Sequence, residues 1–202
     1  MKIALIGASG NVGQRLHREL IARGHTVTAI ARSADEIQAL DRTNPVVGDI
    51  TEPETLAQTL AGHDAVISSV RFLAFDPDKL LDAVQTSGVP RYLVVGGAGS
   101  LEVAPGARLI DDPNFPDAYR AEAAAGAAYL DRLRATEGLN WSFLSPSAVF
   151  EAGERTGTFR LGTDALLVGP DGSRISYEDF AIAMVDEIEA PKHPRARFTV
   201  GY

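Results

Sequence analysis

The chain has 202 residues, 45% of them hydrophobic and 23% charged, with a formal net charge of −8 and no cysteine. That length suits one domain with a sizeable core. The acidic balance argues against nucleic acid or an anionic membrane as a partner, and the missing thiols exclude disulfides, thiol catalysis and thiolate metal sites. No apolar run approaches the ~18 residues of a membrane span, and the first strand lacks a signal peptide's long apolar stretch, so a cytoplasmic location is the expectation.

The first elements carry the strongest signal. Lys2, Ile3, Ala4, Leu5 and Ile6 form a short apolar run of the kind a parallel strand needs when both faces are covered. Gly7, Ala8, Ser9, Gly10, Asn11, Val12 and Gly13 follow at once. The first glycine permits a tight turn, the second lets a phosphate approach the backbone, and the third lets the next helix pack close on the strand. An amphipathic segment over 12–24 and a strand over 25–31 complete a β-α-β unit of about 30 residues, the context in which such glycines read as a dinucleotide site.

Further along, the patterning predicts a helix over 33–40, a strand over 45–48 and a helix opening at 51–54, where a hydroxyl, a proline and acids suit a helix start. A strand over 64–69, a helix over 76–88 closed by glycine, and a strand over 91–97 come next. A long helix over 116–136, a strand over 140–145, a short apolar segment at 165–169, a helix over 177–189 and a strand over 197–200 complete the chain. Such alternation predicts an α/β Rossmann fold: a doubly wound parallel sheet with helices on both faces. Residues 1–202 are expected to form a single NAD(P)-binding domain, its small C-terminal extension from about 146 completing the substrate pocket.

In such a sheet ligands meet the carboxyl ends of the strands. Arg32, after the second strand, stands where an acid would bind the ribose hydroxyls of NAD and an arginine would accept the 2′-phosphate of NADP, so NADP(H) is preferred and NAD(H) allowed. The alternative for Arg32 is a surface pair with Asp35 or Glu36. Asp49 and Ile50 follow the third strand, suited to an adenine edge, although Asp49 fits a helix cap equally well. Ser68, Ser69 and Val70 follow the fourth strand, Gly97 lies in the loop after the fifth, and Pro146 and Ser147 follow the sixth; these would flank the rest of the cofactor. His17, His25 and His63 make no ligand cluster, so no metal is expected. Trp141 and Phe143 read as core.

On residues 7–13, on Gly48, Asp49 and Ile50, on the Val94 to Leu101 loop, and on the long helix preceding residues 141–147, the chain resembles the atypical short-chain dehydrogenases/reductases. Within these it is similar to the NAD(P)H-binding group that includes NADH-flavin and flavin/biliverdin-type reductases. The resemblance covers essentially the whole chain. Typical members carry a tyrosine followed four residues later by a lysine, which lowers the phenol's pKa and makes it a proton donor. Here Tyr119 is followed by Ala123, and no tyrosine has that partner. Tyr119 and Ser100 are the catalytic candidates, Tyr119 as a pocket residue and Ser100 as a hydroxyl able to polarise an acceptor, to hold the nicotinamide amide, or merely to close a turn.

Ketone reduction and sugar epimerisation need a placed proton donor, whereas hydride transfer to a flavin or quinone yields a delocalised anion that solvent can protonate. The sequence therefore reads as an NAD(P)H-dependent reductase of a planar acceptor, acting as a monomer or homodimer. The alternative is a non-catalytic NAD(P)-sensing regulator of the NmrA-like kind, against which the short C-terminal region speaks. An isoflavone-type or small-sugar reductase ranks behind both.

Overall fold

The computed structural model describes residues 1–202, Ala34 by its backbone alone. In chain order the elements are β1 (Lys2–Ile6), α1 (Asn11–Ala22), β2 (Thr26–Ala31), β3 (Thr43–Val47), α2 (Pro53–Leu60), β4 (Ala65–Ser68), α3 (Pro77–Thr86) and β5 (Tyr92–Val95). The small strands β6 (Glu102–Ala104) and β7 (Ala107–Arg108) precede α4 (Asp117–Ala135) and β8 (Trp141–Ser145). Then come β9 (Val149–Glu151), β10 (Arg160–Gly162), β11 (Arg174–Ser176), α5 (Tyr177–Glu189) and β12 (Ala196–Gly201).

Eight strands make one sheet in the order β10-β12-β8-β5-β4-β1-β2-β3. The strand run of the sequence explains its interior: β1, β4 and β5 are almost wholly buried, and successive side chains point to opposite faces. Ile3 and Leu5 join a core with Leu16 and Leu20 of α1 and Phe180 and Met184 of α5. Ala4 and Ile6 face the other way, toward Leu60 of α2, Leu80 of α3 and Leu133 of α4. The sheet is thus covered on both faces, as expected of a doubly wound fold.

Two expectations need correction. The helix expected over 33–40 is a single 3-10 turn, Ala34–Glu36. Among the described side chains of that stretch only Ile37 is buried, and so short a segment lacks the packed face that would hold a helix together. The sheet is also not parallel throughout. β10 closes one edge antiparallel to β12, with Arg160 opposite Gly201 and Gly162 opposite Thr199, a common arrangement for an edge strand.

A buried ion pair fixes α5 to the sheet. Arg91, just before β5, reaches Glu187 at 2.7 Å, with 7% and 2% of the two side chains exposed. Burying two charges is tolerable only when their remaining hydrogen-bonding groups are satisfied. Here Arg91 also donates to Ser142 and Asn140, with its Nε left without a partner among the described residues, while Glu187 accepts from the backbone of Lys192 and His193.

Candidate functional site

β1 lies between β2 and β4, so the chain leaves β1 where the strand order reverses. That juxtaposition explains the first glycine. Gly7 has φ +81°, and a Cβ there would stand 2.2 Å from the carbonyl oxygen of Ser69 at the end of β4. A Cβ on Gly13 would fall 2.0 Å from the Gly7 oxygen, so α1 can pack on the turn only without one. Gly10 is different: the nearest atom to its would-be Cβ is 3.4 Å away and the residue is exposed. Its lack of a side chain serves approach from outside.

The turn is held from below. Gly7 and Ala8 both donate to the Ile30 carbonyl, Gly10 donates to Gly7, and the Gln14 side chain donates to the Ser9 carbonyl. α1 begins at Asn11 with neither a side-chain cap nor an acidic residue in its first turn. The first N–H groups of any helix lack intrahelical partners. At Asn11, Val12 and Gly13 they combine with the positive end of the helix dipole to make a ready anion site, and an open Gly10 keeps it accessible. The residues present therefore fit a pyrophosphate.

At the neighbouring strand ends, Arg32 is exposed and, among the described residues, makes no ion pair with Asp35, Glu36 or any other acid. Asp49 accepts from the backbone and hydroxyl of Thr51, at 2.9 and 2.8 Å. These bonds, aided by the charge of Arg32, hold its carboxyl below the usual carboxylate range. Ile50 packs half-buried against the core on the face covered by α2, α3 and α4.

Beyond the turn opens a cleft of about 950 Å³. Val95, Gly96 and Gly97 form its floor, and Val12 stands at the cofactor-turn end. A Cβ on Gly96 would lie 2.3 Å from the Phe143 ring, so the loop can run flat over the sheet only with glycine. Ser69, Val70 and Phe72 line one wall with Tyr119, Glu122 and Ala123 of α4; Pro146, Ser147, Phe150 and Tyr177 line the other. The structure thus brings Val12, Ser69, Val70, Gly97, Tyr119, Pro146 and Ser147 to one cleft. Ser147 is buried and donates to the Val200 carbonyl at 3.0 Å, tying that wall to β12.

Two expected residues point elsewhere. The Ser68 hydroxyl is buried in a chain with Tyr92 and Tyr129, each link 2.8 Å, on the face covered by α2, α3 and α4. Burial raises the Tyr92 phenol to about 12, so these tyrosines stay protonated. Ser100 does not line the cleft. Its hydroxyl and carbonyl both accept from Arg197, at 3.1 and 3.0 Å, and Arg197 also pairs with Asp164. Tyr119 sits at the rim, 67% exposed.

The site also uses a residue that sequence patterning passed over. Glu122 accepts from the backbone N–H groups of Phe72 at 2.6 Å and Leu73 at 3.3 Å, and stands 3.7 Å from Arg71. It thereby fixes the short turn Phe72–Ala74 that carries Phe72 into the cleft wall. The only sequence signal was an acid three residues after Tyr119 on the same helical face. Tyr177 at the start of α5 was also missed as a wall residue; it meets Phe150 edge-on at 4.6 Å, with the Arg15 guanidinium 5.6 Å over its ring.

A Rossmann sheet with an open anion turn at its switch point defines a dinucleotide-binding protein. A model of the NAD(P)H-binding family matches residues 7–191, and the chain belongs to that family. It is 40% identical to the uncharacterized protein YwnB of Bacillus subtilis, over 99% of this chain and 98% of that one. Among solved structures, it is 39% identical to a putative epimerase from Bacteroides thetaiotaomicron, with a TM-score of 0.94 covering 100% of this chain and 96% of that one. It is 38% identical to a putative NADH-flavin reductase from Streptococcus pneumoniae, with a TM-score of 0.87 covering 100% and 99%. The chain spans only about half of two other curated relatives: 53% of the photosystem II assembly factor Ycf39 of Synechocystis and 52% of a 3-beta-hydroxysteroid dehydrogenase of Mycolicibacterium neoaurum. It is an NAD(P)H-binding, oxidoreductase-like protein, and no helix of the structure is long and apolar enough to cross a membrane.

Proposed function

We propose that the protein is a reductase that uses NAD(P)H, NADPH in preference, to reduce a planar acceptor such as a flavin or quinone. The observation that carries this reading is the continuity of the uncapped turn at Gly10 with an apolar-floored cleft that has no tyrosine–lysine pair. When bound, NAD(P)H supplies a hydride, and the acceptor ring takes it with a proton from water, leaving NAD(P)+ and the two-electron-reduced acceptor. Asn11, Val12 and Gly13 hold the pyrophosphate through the free N–H groups of the helix start, while Gly7, Ala8, Ser9 and Gly10 shape the turn beneath it. Arg32 meets the 2′-phosphate, and Asp49 and Ile50 border the adenine. Ser68 contributes backbone beside Ser69 and Val70, while Gly97, Pro146 and Ser147 line the nicotinamide end. Tyr119 borders the acceptor, and Ser100 acts through Arg197 as a positioning residue for the 96–101 loop. The walls exclude water and align donor with acceptor, the term that matters most when no strongly basic alkoxide forms.

The test is anaerobic oxidation of NADPH with riboflavin, FMN and menadione as acceptors, alongside NADPH binding by fluorescence. Saturable turnover, with binding and turnover both lost in Gly10→Val, is expected. Tight NADPH binding without turnover on any acceptor would refute the reductase reading in favour of a sensor.

A further inference from the structure

The acceptor half of the cleft has an electrostatic character that selects among planar rings. Its walls offer apolar and aromatic surface in Phe72, Leu109, Phe115 and Ala123. Of the described residues lining the cleft, Arg71 is the one cation, whereas Asp112 and Glu122 are both carboxylates. Arg71 already stands 3.7 Å from Glu122, with 77% of its side chain exposed. The neighbouring cations have acidic partners outside the cleft. Arg120 donates to the carbonyls of Ile110 and Phe115 and pairs with Asp117 at 3.2 Å, and Arg108 is held by Asp111 at 2.9 Å. The positive end of α4 could attract an anion, but its first turn carries Asp117.

Resting on the reductase reading above, we propose that the acceptor is an uncharged planar ring system, a riboflavin-like isoalloxazine or a small quinone, and that phosphate- or carboxylate-bearing acceptors are rejected. Such an anion would enter a region whose one lining cation, Arg71, is outnumbered by the carboxylates of Asp112 and Glu122, beside a cofactor that is itself a polyanion. Specificity of this kind comes from the repulsive element as much as from the attractive one. An uncharged ring loses nothing there and gains stacking area.

The experiment compares kcat/KM for riboflavin and FMN, which share one ring and differ by a phosphate, at saturating NADPH and low salt, with menadione as an uncharged quinone. Riboflavin is expected to exceed FMN by about fivefold, the scale of repulsion between a dianion and one net negative charge at the width of a cleft. Added salt should narrow the gap. Ala118→Lys, which adds a cation to the exposed first turn of α4, should raise the FMN-to-riboflavin ratio at least fivefold, by the same Coulomb argument about the rim. FMN reduced as well as riboflavin by the unmodified protein at low salt would overturn the proposal while leaving the reductase reading intact. No turnover on any of the three acceptors, with NADPH bound, would remove that reading and this proposal with it.

Discussion

Gly126 provides the sharpest link between packing and turnover. It lies within α4, and a Cβ built there would stand 2.8 Å from both Cδ2 and Cε2 of Phe72. The Phe72 ring is stacked on Phe143 at 6.1 Å and 17°, and tilted against Tyr129 at 6.0 Å, so its free direction is outward into the cleft. In Gly126→Ala the ring must retreat by roughly 1 Å to restore ordinary carbon–carbon separation. Two opposing terms decide stability. Alanine in a helix interior gains about 1 kcal/mol over glycine, whereas overpacking costs about 1–3 kcal/mol. The net expectation is a loss of about 0–2 kcal/mol, a fall in Tm of a few degrees. The functional effect is larger, because a misplacement near 1 Å can cost up to about 100-fold in rate. Riboflavin kcat/KM should therefore fall about tenfold or more while NADPH affinity stays within twofold, by the same argument that the perturbation is confined to the acceptor wall. Adding Phe72→Leu to Gly126→Ala should recover part of the loss by relieving the contact. Steady-state kinetics and thermal denaturation on the same samples test this. Unchanged kcat/KM, or destabilisation beyond about 4 kcal/mol, would refute the reasoning, the latter because it would mean that the backbone and not the ring gives way.

The remaining predictions concern the cofactor, the buried ion pair and acid stability. Arg32→Asp should weaken NADPH binding by about 10–100-fold, the worth of a charge-assisted contact, and leave NADH nearly unaffected; equal weakening of both in a titration would dismiss the 2′-phosphate role. Glu187→Ala should cost about 3–5 kcal/mol in denaturant unfolding by leaving Arg91 buried without its partner; a loss under 1 kcal/mol, on the surface-pair scale, would show that water or another group replaces the carboxylate. Burial alone would raise the Glu19 carboxyl, but hydrogen bonds from Arg155 and Arg23 outweigh it and hold the group below its ordinary value of 4.5. Its folded pKa is therefore depressed, so its stabilisation is present above about pH 4.5 and is lost as pH falls through the folded value. Glu19→Gln should flatten the decline of Tm with acid in that window; an unchanged slope would assign the acid sensitivity to other groups.

Much of the site was legible because it is local. Residues 2–13 specify strand, turn and helix start within one contiguous stretch, and the steric demands on Gly7 and Gly13 arise where that stretch meets its own backbone and the end of β4. The alternation of buried strands and amphipathic helices likewise follows from short-range periodicity, which is why the doubly wound sheet could be expected from residue order alone. The missing lysine four residues after Tyr119 is also a local fact, and it narrows the chemistry without any coordinates.

What the tertiary structure decided depends on partners far apart in the chain. β9 exists because Val149–Glu151 pairs with Arg174–Ser176, and β10 because its three residues find β12, about forty positions away. Glu122 shapes the cleft wall by accepting from the backbone of Phe72, fifty residues earlier. The hydroxyl of Ser68 turns inward to Tyr92 and Tyr129, and Ser100 is captured by Arg197. Conversely, 33–40 did not become a helix: among its described side chains only Ile37 reaches the core, too little to hold a helical face. Local sequence determined the buried central strands and the glycine turn after β1; long-range packing decided the small edge strands and which side chains face the cleft, because a side chain's direction depends on the neighbours that satisfy it.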